Sequence, residues 1–248
     1  MMHHHFRKLS VLIPAYNEQE TIIELLDKVK RADIPLEKEI LVIDNHSKDD
    51  THKLVAGWIT AHPGASVRLL VEKTPGKGAA VRTGIKAAKG EVVVIQDADL
   101  EYDPADYSAL LRPILEGTTM AVYGNRLGFK DNGSAHFSFY AGGRAMTMIG
   151  AMLFGQNVRD INTCYKMWVA ELTRGIDFQE NGFAFDFAEI TPYLIQSLKK
   201  RKMEILTVPI HYTPRTIAQG KKVRWKDGAY GVWAMLKYRI KNSGFHER

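Results

Sequence analysis

Four short apolar runs, the first three each followed by a segment of helical period, constrain this chain more than any other feature. Leu9 to Pro14 precedes Glu18 to Arg31, where Ile22, Ile23, Leu25, Leu26 and Val29 recur at helical spacing. Glu39 to Ile43 leads through a polar loop to a helix near Lys53 to Thr60. Val67 to Val71 leads to a helix opened by Gly76-Lys77-Gly78 and running through Lys89. The fourth run is Val92 to Ile95, and Met120 to Tyr123 adds a further strand. This alternation predicts an α/β fold with a mostly parallel sheet, right-handed crossovers and flanking helices. Such sheets bind ligands beyond the carboxyl ends of their strands, so the residues after each run are the first functional candidates.

After the fourth run come Gln96-Asp97-Ala98-Asp99. Residues i and i+2 of an extended chain point the same way, so Asp97 and Asp99 converge on one object. Two neighbouring carboxylates repel unless a proton or a cation lies between them. At neutral pH a hard divalent ion, Mg2+ or Mn2+, shared with a phosphate meets that need. An acidic turn after a strand is the bland alternative for so short a motif.

Other strand ends suit the same task. Tyr16 offers an aromatic face to a base, while Glu18 and Asp44 offer carboxylates to ribose or base donors. Lys77 opens a helix between glycines that permit close backbone approach, which suits an anion at the helix N-terminus. The GxxxxGK[ST] spacing of a Walker A loop is absent, which argues against P-loop ATPase chemistry. Taken singly, Glu18 reads as helix-start charge, Asp44 as a loop cap and Lys77 as solvated surface. Their succession at strand ends favours one shared crevice.

Size and composition set the bounds. At 248 residues, 45% hydrophobic and 25% charged, the chain is neither disordered nor fibrous and can bury a substantial core. Cys164 is the only cysteine, so no intrachain disulfide forms and a reducing compartment is permitted; the setting expected is cytoplasmic or peripheral at the membrane. No apolar stretch approaches the roughly 20 residues that span a bilayer. Met1 to Lys8 lacks the apolar region of a secretory signal, and His3-His4-His5 reads as a solvated terminus or tag remnant. The net charge of +6 suits an anionic partner such as a phosphate, a nucleotide or an acidic lipid surface.

Composition changes after the fifth strand. Leu127 to His136 is polar and Gly-rich, and Tyr140 to Phe154 is apolar and Met-rich. Arg126, Arg144 and Lys166 supply cations there, as an ionised acceptor would require. Residues 1–248 read as a single domain, with about 9–126 as its nucleotide-binding part. About 127–248 would bind an acceptor and end in a C-terminal helix.

Four elements in order carry a resemblance: Leu12-Ile13-Pro14-Ala15-Tyr16-Asn17-Glu18, the Asp44 loop, Gly76 to Gly84, and Asp97-Ala98-Asp99-Leu100-Glu101. The chain resembles family 2 glycosyltransferases of the GT-A fold, a Rossmann-like sheet flanked by helices. It is similar in particular to the dolichyl- or polyprenyl-phosphate mannosyltransferase-like branch. Gly124-Asn125-Arg126 resembles that branch's G-[ST]-R element. Val208-Pro209-Ile210, Arg215 and Lys221 resemble its VPI…R…GxSK segment. The likeness runs from about Leu9 to Trp225.

The resemblance implies that Pro14, Tyr16, Glu18 and Ile43 line the nucleoside, and that Asp97, Ala98 and Asp99 contact a metal-bound diphosphate. Arg126, Arg215 and Lys221 would then bind phosphate, with Asp97, Asp99, Arg126 and Arg215 carrying catalysis. There are departures. Asn45 stands where many relatives have a second Asp, so the base is not fixed. Glu101 stands where Gln or Ser is common, either as a third metal ligand or as an acid of the loop. Asp186 and Glu189 are spaced i, i+3 and share a face if helical, a weak pair of acceptor-side candidates beside Arg144 and Lys166.

The implied activity is a metal-dependent, inverting transfer of a hexose from a nucleotide diphosphate sugar to polyprenyl phosphate. A soluble or glycan hydroxyl acceptor, which needs a general base, is the alternative. Gln219 and Arg224-Trp225 do not form the QxxRW of processive synthases. A basic binding module for membrane or nucleic acid, motivated by Lys199-Lys200-Arg201-Lys202, is the non-enzymatic alternative, and nucleic acid finds no aromatic stacking platform. Gly231 to Phe245 interleaves Trp233, Met235, Leu236, Tyr238, Ile240 and Phe245 with Lys237, Arg239 and Lys241. That composition suits peripheral membrane contact or a helix packed back on the domain.

Overall fold

A computed structural model describes residues 6–129, 132, 137–156, 158–182, 185–215 and 230–237, with only the backbone of 137–141, 187 and 188. Seven strands form one sheet: β1 (Lys8–Ala15), β2 (Glu37–Asp44), β3 (Val67–Val71), β4 (Val92–Ile95), β5 (Ala121–Asn125), β6 (Lys166–Val169) and β7 (Leu206–Pro209). Their spatial order is β3-β2-β1-β4-β6-β5-β7. β1 and β4 are almost wholly buried, as apolar runs covered on both faces must be.

The helices are α1 (Ile22–Arg31), α2 (Thr51–Ala61), α3 (Lys77–Ala87), α4 (Tyr107–Leu115), α5 (Phe137–Phe154) and α6 (Thr191–Lys200), with a further helical stretch at 230–237. α1 starts at Ile22 and not at Glu18, because residues 17–21 form turns tied to the Asp49–Thr51 region. It buries Ile22, Leu25, Leu26 and Val29, at ~1.5–3 kcal/mol for each side chain removed from water.

Two features of the sheet place the site. The order reverses at β1, whose parallel neighbours β2 and β4 lie on opposite sides, so a crevice opens beyond the carboxyl ends of β1 and β4. β6 runs antiparallel between β4 and β5, pairing Val94 with Met167 and Tyr123 with Lys166. Its opposite direction brings the Thr163–Lys166 segment to those same carboxyl ends. β7 pairs parallel with β5, and the chain after it returns over the crevice.

Candidate active site

The DxD acids stand just beyond β4, at the reversal of strand order. Gln96, fully buried, accepts from the hydroxyls of Tyr107 (2.6 Å) and Tyr165 (2.7 Å), which fixes the floor beneath them. Lys77 Nζ lies 2.5 Å from Asp97 Oδ1. Arg215 Nη2 lies 2.8 Å from Asp99 Oδ2, and Arg215 Nη1 lies 3.3 Å from Glu18 Oε2. Each aspartate thus meets a cation from another part of the chain.

Their charge states diverge. Burial raises the pKa of Asp97, but Lys77 outweighs it and holds the carboxyl below its ordinary value. Asp99 is pushed up to about 7 by burial and by the charges of Asp97 and Glu101, against the opposing pull of Arg215. Four carboxylates (Glu18, Asp97, Asp99 and Glu101) therefore share two cations, Lys77 and Arg215. The surplus of negative charge and the hard oxygen donors fit a divalent cation.

Glu101 has another task here. Its Oε2 accepts from the Tyr212 hydroxyl (2.8 Å) and its Oε1 from the Arg215 amide (2.8 Å). The Thr213 amide also donates to the Glu101 carbonyl at 2.9 Å. The 99–102 turn is thereby stitched to the 212–215 return. Among the described residues, no three His, Cys, Asp or Glu side chains gather as a metal ligand set, and Glu101 is held as an acid of the loop by these contacts.

Arg126 is not brought to the DxD acids. It makes a bidentate pair with Asp160 (2.8 and 2.9 Å) and stands 5.1 Å from the Tyr212 ring centroid. Lys166 is 2% exposed and pairs with Asp186 at 2.8 Å. Residues 185–190 form a π-helical stretch, so Asp186 and Glu189 take different partners; Glu189 accepts from the Gln179 amide at 2.8 Å. Asp44 accepts from the Ser47 amide (3.0 Å) and faces His52 Nδ1 at 3.0 Å. Ile43 is fully buried and packs beneath Gly84 of α3, while Ala98 is buried. Pro14 is half-buried, Tyr16 is exposed at the β1 end, and Arg144 lies exposed on α5. Lys221 lies outside the described residues.

Two asparagines not singled out in the sequence as site residues shape the crevice wall. Asn45 Nδ2 donates to the carbonyls of Glu72 (3.2 Å) and Thr74 (2.7 Å), and its Oδ1 accepts from the Gly76 amide (2.6 Å). Asn181 Oδ1 accepts from the Ala79 amide at 2.9 Å, and its Nδ2 donates to the Pro75 carbonyl at 2.5 Å. Cβ atoms added at Gly76 and Gly78 would stand 2.6 Å from Asn181 Oδ1 and 2.9 Å from Asn181 Cα. The close approach that these glycines permit is taken by the chain itself. Only the glycines signalled it, and they do not name the occupant.

Residues 10–166 match the domain described as glycosyl transferase family 2. The chain belongs to that family. A dolichyl-phosphate β-glucosyltransferase of Dictyostelium discoideum is 31% identical over 224 residues, covering 83% of this chain and 66% of the relative. A dolichol-phosphate mannosyltransferase of Pyrococcus furiosus is 30% identical over 222 residues, covering 86% and 59%. The chain thus spans about two thirds or less of the length of these curated relatives. Glucosyl-3-phosphoglycerate synthase of Mycobacterium tuberculosis, solved with Mn2+ and UDP-glucose, superimposes with a TM-score of 0.69 at 20% identity, over 97% of this chain and 80% of that one. The family match and this superposition assign the GT-A fold.

Proposed function

We propose that this chain carries the catalytic centre of a metal-dependent, inverting glycosyltransferase that moves a hexose from a nucleotide diphosphate sugar to polyprenyl phosphate. The observation that carries the donor half is the cluster of Asp97, Asp99, Glu18, Lys77 and Arg215 at the point where strand order reverses. The names of the two relatives, and the Mn2+ and UDP-glucose in the structural neighbour, agree with it.

Asp97 and Asp99 would hold Mg2+ or Mn2+, which supplies Lewis-acid stabilisation of the diphosphate as it leaves. Lys77 and Arg215 reach the same place and provide cationic donors for the charge that develops on the leaving phosphate. Tyr16, exposed beyond β1, offers a stacking face for the base, with Pro14 and Glu18 beside it. Lys221 and Arg126 keep the phosphate-binding roles that the family resemblance implies. For Arg126 that role requires exchanging Asp160 for substrate.

The acceptor half rests on the carboxylates near β6. A hydroxyl acceptor requires a general base, whereas a phosphate acceptor arrives ionised. Asp186 is bound by the buried Lys166, and Glu189 accepts from a backbone amide. Asp186 is thus committed to Lys166, whereas Glu189 Oε2 is buried without a hydrogen-bond partner among the described residues, so the ionised acceptor rests on Asp186 and on the names of the relatives. A lipid acceptor also requires a membrane approach. Met148 and Met152 on α5 are 61% and 69% exposed, and Trp233 is 52% exposed on the 230–237 helix. A Cβ added at Gly150 would stand 3.6 Å from the Met235 sulfur, so these two helices adjoin. No helix among the described residues is long and apolar enough to cross a membrane.

The test is transfer of labelled hexose from a panel of UDP- and GDP-sugars to polyprenyl phosphate in detergent, with Mn2+ or with EDTA. Lipid-linked product formed only with metal is the expected result. Transfer to a water-soluble hydroxyl acceptor alone would overturn the acceptor assignment.

A further inference from the structure

We infer that Asn181 is a positioning residue of the donor site, setting Lys77 against Asp97 from the acceptor side of the crevice. The inference rests on the reading of Lys77 as a donor-phosphate contact. Lys77 is the first residue of α3, and the helix N-cap, Gly76, has no side chain to satisfy the free amides of the first turn. Asn181 takes over that task. Its Oδ1 accepts from the amide of Ala79, the third helical residue, as an N-cap side chain would. It does so across 102 residues of sequence.

The geometry leaves little freedom. Asn181 Nδ2 grips the Pro75 carbonyl at 2.5 Å, so one side chain holds both sides of the Gly76 bend. Gly76 has φ +117°, a conformation that side-chain-bearing residues rarely adopt. Asn45 grips the Gly76 amide from the β2 side at 2.6 Å. The start of α3 is therefore clamped from two directions, and Lys77 projects from the clamp onto Asp97. Arg82, one turn further along α3, donates to the carbonyls of Gln179 and Glu180 (2.8 Å to the latter), and Lys86 Nζ pairs with Asp177 at 2.9 Å. The 177–182 segment thus lies along α3 over three successive contacts. Four residues after Asn181, Phe185 opens the π-helical stretch that carries Asp186, the partner of Lys166. Asn181 thus ties the start of α3 to the segment that precedes this stretch.

The experiment measures binding of UDP and GDP with Mn2+ to four proteins: the parent, Asn181→Ala, Lys77→Met and the double variant. Amide hydrogen exchange across the first turn of α3 accompanies it. Asn181→Ala should speed exchange at Ala79 and weaken nucleotide binding about tenfold, on the scale of a lost cap. In the Lys77→Met background the same change should cost less than about twofold, because the lysine it positions is gone. Asn181→Asp keeps an acceptor for the Ala79 amide and should recover most of the affinity. Equal losses in both backgrounds, or unchanged exchange at Ala79, would overturn the inference, as would a parent that binds neither nucleotide. A parent that binds nucleotide with this coupling yet transfers no sugar to lipid would reject the proposed reaction and leave the role of Asn181 standing.

Discussion

Arg215 Nη2 lies 2.8 Å from Asp99 Oδ2, so a carboxylate suited to a divalent ion is held by a cation of the chain itself. Arg215 also reaches Glu18, and its own amide is bound by Glu101. A metal held by Asp99 would compete with this arginine, whose guanidinium would then be free to face a diphosphate. Arg215→Ala should consequently separate two properties. Mn2+ alone should bind more tightly, by about tenfold or more, because a charge-assisted bond of ~1.5–3 kcal/mol no longer opposes it. Transfer should fall by orders of magnitude, because the clamp on the leaving phosphate is lost. Titration of free Mn2+ by electron paramagnetic resonance reads the first effect, and weaker metal binding in the variant would contradict the exchange.

Asp99→Ala and Asp97→Ala should each abolish transfer while leaving the far-ultraviolet dichroism and the melting transition close to the parent. Both residues lie beyond the strand end, so their loss spares the β1–β4 ladder. Full turnover in EDTA, or an Asp99→Ala protein with parental activity, would remove the two-carboxylate metal site.

Glu101→Gln distinguishes a latch from a ligand. Glu101 holds Tyr212 and the Arg215 amide, so the variant should lose turnover through a loosened 212–215 return while Mn2+ affinity changes less than about threefold. A metal affinity that falls by a hundredfold or more in calorimetry would make Glu101 the third ligand.

How much of this was legible in the chain depends on the range of the interaction. Val92 to Ile95 and its two acids were readable because apolar burial and the strand period are local signals. β6 was not, because Lys166-Met167-Trp168-Val169 becomes a strand only by pairing with β4 and β5 across long separations. The position of the candidate residues at the ends of β1 and β4 followed from the α/β alternation. The partners that now define their chemistry did not: Arg215 meets Asp99 across 116 residues, and Asn181 meets Ala79 across 102. A periodic pattern fixes which face of an element is buried, but carries no record of which distant polar group will meet it.

Glu39 offers a stability test away from the crevice. It is 4% exposed and accepts from the Ser10 hydroxyl (2.5 Å), the Gly90 amide (3.0 Å), the Lys89 amide and Arg68 (3.1 Å). Burial raises its pKa, but these donors outweigh burial and hold it below the ordinary carboxylate value. A depressed folded pKa gives stability that is present above the unfolded pKa, about 4.3, and lost as pH falls through the folded one. Glu39→Gln should therefore lower unfolding free energy by about 1–3 kcal/mol at pH 7, with the gap to the parent narrowing below about pH 4. Urea unfolding at a series of pH values checks this, and a gap constant from pH 7 to pH 3 would contradict it.

The last expectation concerns the exposed apolar side chains of α5 and the 230–237 helix. Met148, Met152 and Trp233 are exposed on adjoining helices, and Lys237 Nζ stands 5.0 Å from the Trp233 ring centroid. Apolar groups rimmed by cations suit the headgroup region of an anionic bilayer. The protein should therefore sediment with anionic liposomes at low salt and release at high salt, as its basic charge is screened. Met152→Asp with Trp233→Asp should weaken that binding at least tenfold, since each change moves a carboxylate into the apolar interface. Both substitutions lie on exposed positions, so nucleotide binding and the melting transition should stay near parental values. Unchanged sedimentation of the double variant would show that these helices face something other than lipid.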